Sequence, residues 1–170
     1  MIRPIVDFEK KRRQANLHFV NRARSLFKKI RLPFQVVPSY IPDPPSSFFT
    51  GCWLLEGCLY FCPARVQVGE LLHEAGHLAL LPKDVWPSLQ PGQIEIQTFG
   101  LESGDYAVEA WDYAAAIECD IPSLAVFDKG FNDAGWTVWE LFDAGIHPGI
   151  KMLQDAGMTQ NFPVMKRWFA

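Results

Sequence analysis

The chain has 170 residues, 49% of them hydrophobic, and a formal net charge of −3; that is enough apolar material to close a core, which excludes a disordered chain and suits a single domain over 1–170. No apolar run is long enough to span a membrane, and the charged start MIRPIVDFEKKRR has no apolar stretch behind it, so the expected location is cytoplasmic, with no membrane partner. There Cys52, Cys58, Cys62 and Cys119 are expected to stay reduced.

Charge is distributed unevenly. Up to Arg31 there are ten Lys/Arg against Asp7 and Glu9, while the remainder carries six basic and seventeen acidic residues. Phe8, Ala15, Phe19, Ala23, Leu26, Phe27 and Ile30 recur at helical spacing. A basic amphipathic helix is therefore expected within 1–32, with Asp7 as N-cap and Pro33 as stop. Its charges read most simply as a solvated face; a surface for DNA or a protein partner is the alternative.

Next, PFQVVPSY looks extended and IPDPPSSFFTG has the proline and serine content of a surface loop. GCWLLEGCLYFCP reads as a hairpin turning at Glu56-Gly57. From about Gln67 to Leu81 the pattern is helical, stopped by Pro82. PKDVWPSLQPGQ is loop-like and IEIQTF alternates as a strand would. A second long helix is expected from an N-cap at Asp105 through YAVEAWDYAAAIEC, ending before Pro122. Two shorter helices, GWTVWELFDAG and PGIKMLQDAGM, follow; each closes on Asp-Ala-Gly with glycine as a left-handed C-cap, and the triplet also occurs at 133–135.

The chemistry concentrates in the first of these long helices. Residues 71–81 read LLHEAGHLALL, two histidines and one glutamate in an otherwise apolar run. Positions i and i+4 share a helix face, so His73 and His77 project side by side. A buried polar pair without partners costs on the order of 1–3 kcal/mol per group, and a bound metal satisfies both rings at once. The expected cofactor is Zn2+. Glu74 lies about 100° round the helix from His73 and suits the general-base role of an H-E-x-x-H site, activating a zinc-bound water. Gly76 leaves room for a substrate backbone or a packed strand to approach.

A catalytic zinc takes three protein ligands, and the extended motif with a third histidine is absent, since Leu80 and Lys83 stand at its positions. The other histidines, His18 and His147, are further candidates for that ligand, neither of them well placed. Glu109 on the second long helix is the expected third ligand, with Glu102 and Glu118 as fallbacks. Asp112, one turn on, is a candidate to hold the outer ring N–H of His73 or His77 and fix its tautomer. Tyr60, Tyr106, Tyr113, Arg65 and His147 are candidates for the group that stabilises an oxyanion.

GELLHEAGHLALL resembles the active-site helix of the ImmA/IrrE-type metallopeptidases, compact bacterial and phage proteins with a minimal zincin core. VEAWDYAAAIECDIP resembles their second helix, and WELFDAGIHPGIKMLQDAGM the helix-turn-helix-like element that often follows. The second helix departs from the family pattern: matching Tyr113-Ala114 to its aromatic-alanine pair moves the ligand position to Ala107. The resemblance implies an α+β fold: a small antiparallel sheet or hairpin, the HExxH helix, a backing helix and C-terminal helices. The corresponding division is a basic N-terminal helix (1–32), a zincin core (33–122) and a C-terminal helical extension (123–170). It further implies zinc-dependent hydrolysis of peptide bonds in a peptide or protein substrate, such as a regulatory protein. The competing function is a non-catalytic regulator of the same fold that binds DNA or a protein partner.

Overall fold

In the computed structural model, which describes residues 3–92, 105–127 and 137–170, the chain begins with a 28-residue helix, α1 (Arg3–Ile30). Asp7 therefore lies inside the helix and is not its N-cap. Pro4 falls in the first turn, where its missing N–H breaks no helical hydrogen bond, so nothing delays the start to residue 7. At the other end Arg31 turns left-handed (φ 60°) and the Leu32 amide donates to the Phe27 carbonyl, a closure completed before Pro33. Val20, Ala23, Leu26 and Phe27 form the buried stripe, whereas residues 9–15 are exposed all round.

Among the described residues three short strands make one sheet: β1 (Phe34–Val36), β2 (Cys52–Leu55) and β3 (Cys58–Phe61), in the order β1-β3-β2. β2 and β3 form the expected hairpin, and both turn residues, Glu56 and Gly57, have positive φ (48° and 76°), the type I′ geometry that matches strand twist. The expectation of an antiparallel sheet needs correction, because β1 pairs with β3 in parallel and the sheet is mixed. Residues 37–51 carry the chain across the end of β3, tied there by Val37 N–H to the Phe61 carbonyl and Cys62 N–H to the Gly51 carbonyl. That crossing loop ends beside the start of the next helix.

α2 (Val68–Leu80) follows, with a capping box between Gln67 and Glu70. Asn16 of α1 braces it, donating to the Val66 carbonyl (2.8 Å) and accepting from the Val68 amide (3.0 Å). α3 (Tyr106–Glu118) packs along α2, and Gly76 permits the approach: a Cβ there would stand 2.9 Å from Val108 Cγ1 and 3.1 Å from Asp112 Oδ1. The partner admitted by this glycine is thus a helix, neither strand nor substrate. α4 (Ser123–Val126), α5 (Val138–Asp143) and α6 (Pro148–Asp155) complete the α-helices among the described residues, and Gly145 and Gly157 both adopt the left-handed C-cap (φ 69°). The chain closes with an unanticipated pair of strands, β4 (Thr159–Asn161) and β5 (Val164–Met165).

The core joins Phe27 of α1, Leu59 and Phe61 of the sheet, Leu71 and Leu78 of α2, and Trp111 of α3. The architecture is α+β, and the four cysteines are free thiols. Among the described residues no helix is long and apolar enough to cross a membrane. The IEIQTF strand, Glu102 and the Asp-Ala-Gly triplet at 133–135 lie outside the described residues.

Candidate metal centre

α2 stacks His73 and His77 one turn apart, ring centroids 4.7 Å distant and nearly perpendicular. Their Nε2 atoms face a single carboxylate: His73 Nε2 is 3.7 Å from Asp105 Oδ2, and His77 Nε2 is 3.7 Å from Asp105 Oδ1. Neither contact is short enough for a hydrogen bond. The three residues' ligand atoms nonetheless lie within 4.8 Å of one another, so the group can hold a metal ion. Asp105 occupies the N-cap position of α3, as its sequence context suggests, yet its side chain caps nothing and turns to the histidines.

Asp112 completes the arrangement from behind. Its Oδ2 lies 3.1 Å from His73 Nδ1, and the residue is 2% exposed. In the neutral ring this contact keeps the proton on Nδ1 and leaves the Nε2 lone pair directed at the Asp105 side, the orienting role proposed for Asp112 from its spacing. Burial pushes the Asp112 carboxyl above its ordinary range.

The two rings titrate in opposite directions. Burial alone would lower His73, but the Asp105 and Asp112 carboxylates outweigh it and raise the ring to about 10. Burial, reinforced by the charge on His73, lowers His77 to about 4, and its Nδ1 is buried without a hydrogen-bond partner among the described residues. Contact with His73 holds Asp105 below the usual carboxylate range. Glu74 is 8% exposed, and burial raises its carboxyl to about 7.

Glu109, the expected third ligand, is not brought to the pair. His147 Nδ1 accepts from the Gly149 amide (3.2 Å), so Nε2 carries the proton and donates to Glu109 Oε2 at 3.0 Å. Helix geometry explains the difference. Relative to Asp105, a residue four positions on is rotated about 40° one way and a residue seven on about 20° the other. Asp105 and Asp112 thus face α2, while Glu109 turns towards His147 at the start of α6.

The other candidates among the described residues meet other partners. Glu118 pairs with Lys29, Arg65 with Asp43 (3.0 Å), and the Tyr113 hydroxyl donates to Asp143 (2.7 Å). Tyr60 stacks on Trp53, His18 lies beside Phe19, and Tyr106 sets its ring edge against His147. Phe49, not singled out from the sequence, stands edge-on to His73 at 5.8 Å. Its only signal was its place in the Pro-rich loop.

The chain matches no protein-family model, and no curated protein or solved structure is significantly similar to it.

Proposed function

We propose that the protein is a zinc-dependent metallopeptidase with a minimal zincin core of the ImmA/IrrE type, acting in the cytoplasm on a peptide or regulatory-protein substrate. The observation that carries this reading is the convergence of His73 Nε2, His77 Nε2 and the Asp105 carboxylate. Two imidazoles and a carboxylate are a donor set suited to catalytic zinc, and the carboxylate behind His73 is the usual orienting partner. His73, His77 and Asp105 would hold the ion, with Asp105 in the role the sequence suggested for Glu109. Zinc at this position supplies Lewis acidity towards water and a substrate carbonyl.

The chain's own groups do the rest. Glu74, buried and poised near neutrality, would take a proton from the attacking water on its carboxylate and pass it to the leaving amine. Asp112 keeps His73 in one tautomer. Phe49 packs against that ring at right angles.

Metal content by mass spectrometry, on protein purified without added metal, tests the reading. Wild type and Glu109→Ala should carry close to one zinc per chain, and His77→Ala and Asp105→Ala should lose it. Loss in Glu109→Ala with retention in Asp105→Ala would restore the glutamate as ligand. A wild type that refuses added zinc would overturn the proposal. Glu74→Gln should keep zinc and lose cleavage of an identified substrate.

A second reading, a regulator that binds DNA through α1, has one observation in its favour. Lys10, Arg12, Arg13 and Arg65 line a common cavity of about 910 Å³ between α1 and residues 63–67. Binding to duplex DNA should then weaken steeply with salt. Absent or salt-independent binding would dismiss it.

A further inference from the structure

Phe48 exposes 83% of its surface, although it belongs to a loop that is firmly anchored. Asp43 Oδ2 accepts from the Gly51 amide (3.1 Å) and from Arg65 Nη1 (3.0 Å), and Arg65 Nη2 donates to the Ile41 carbonyl (2.7 Å). The Ser47 amide closes a turn onto the Pro44 carbonyl immediately before Phe48. The backbone is thus braced on both sides of an uncovered aromatic ring.

The ring's position is specific. Phe48 meets Phe49 edge to face at 4.8 Å, Phe49 meets His73 at 5.8 Å and His73 meets His77 at 4.7 Å, each pair within a few degrees of perpendicular. An unbroken file of rings therefore runs from solvent to the two histidines. A solvated aromatic ring gains by burial, and a preorganised one loses little conformational freedom when it is covered.

We propose that Phe48, backed by Phe49, is a binding subsite for a large apolar side chain of a peptide seated at the His73–His77–Asp105 centre. The inference rests on the metallopeptidase reading and names its substrate class: peptides with an aromatic or long aliphatic residue beside the scissile bond. The contact with His73 selects this occupant over a second copy of the chain, because whatever covers Phe48 and Phe49 lies next to the candidate ligands.

Two hydroxamic acids with the same chelating group serve as probes, acetohydroxamic acid and 3-phenylpropionohydroxamic acid. Their affinities for the zinc-loaded full chain are measured by calorimetry, with zinc content determined in parallel. The phenyl compound should bind wild type about tenfold more tightly, the return for covering roughly half of one ring. In Phe48→Ala that advantage should fall to about twofold or less with zinc content unchanged, and Phe48→Leu should restore part of it. Phe48 is exposed and lies outside the buried core formed by the described residues, so these variants should fold. An equal advantage in wild type and Phe48→Ala, or none in wild type, overturns the subsite while leaving the zinc centre intact. A zinc-loaded protein that binds neither probe overturns the open catalytic centre, and the subsite with it. A dimer dispersed by Phe48→Ala, with the phenyl preference intact, assigns the ring to self-association and overturns the proposal.

Discussion

A carboxylate just before a helix ordinarily accepts from the first-turn amides, a contact worth about 1 kcal/mol. Asp105 instead faces His73 and His77, so α3 begins without a side-chain cap. In the metal-free protein the pair of carboxylates keeps His73 protonated at neutral pH, since its folded value of about 10 lies above the ordinary 6.5. That contribution to stability is fully present below about pH 6.5 and is lost as pH rises through about 10. A metal ligand must be a neutral imidazole, so zinc has to displace this proton, whereas His77, lowered to about 4, is already neutral. Zinc binding at about pH 7 should release about one proton from His73, and the apparent affinity should rise about tenfold per pH unit between about pH 6 and 8. Calorimetry in buffers of different ionisation heat reads the proton number directly; a value near zero would remove the assigned role of His73. Asp112→Asn cannot hold the Nδ1–H as a carboxylate does, and it should weaken zinc binding by about 10–100-fold.

Among the elements, α3 is the one that others are fitted around. Its Asp105 and Asp112 face α2 and its Glu109 reaches His147 at the N-terminus of α6. α6 lies so close that a Cβ on Gly149 would stand 1.9 Å from the Tyr106 carbonyl oxygen and 2.8 Å from Ala110 Cβ. A backbone oxygen cannot move aside as a side chain can. Gly149→Ala should therefore destabilise by about 3 kcal/mol, read as a lower urea midpoint at unchanged slope. Local signals made much of this legible in the sequence. Apolar periodicity and Pro82 delimit α2, Glu56-Gly57 marks the hairpin, and glycine closes α5 and α6. Pairings between distant segments were not legible. β1 has three residues and pairs in parallel with β3, past β2 in the sequence, and β4 and β5 are too short to alternate. The third carboxylate is the same kind of case: Asp105 and Glu109 share a helical stripe, and a rotation of about 40° between them, invisible to a spacing rule, separates the two histidines from His147.

Over the whole molecule, the uneven charge resolves into a seam and an exposed end. Arg22 of α1 binds Asp120 and Lys29 binds Glu118 at the far end of α3, while Lys10, Arg12 and Arg13 stand out near the helix start. Exposed pairs of this kind contribute about 0–1 kcal/mol each, so apolar contacts must fasten the ends of the fold. The last residues make such a contact. Trp168 sets its ring edge-on to the wholly buried Trp111 at 5.4 Å, and its carbonyl accepts from Trp111 Nε1 at 3.1 Å. Phe169 lies against Trp86, and the Ala170 amide donates to the Ala79 carbonyl near the end of α2. The segment thus spans α2 and α3, the two helices that supply the histidines and the carboxylates. Trp168→Ala keeps the backbone acceptor but removes the ring, which should cost about 2–3 kcal/mol by urea denaturation. Because no metal-facing side chain is touched, the folded variant should still bind zinc. Full zinc binding with wild-type stability would mean that the terminal segment rests on the two helices without holding them together.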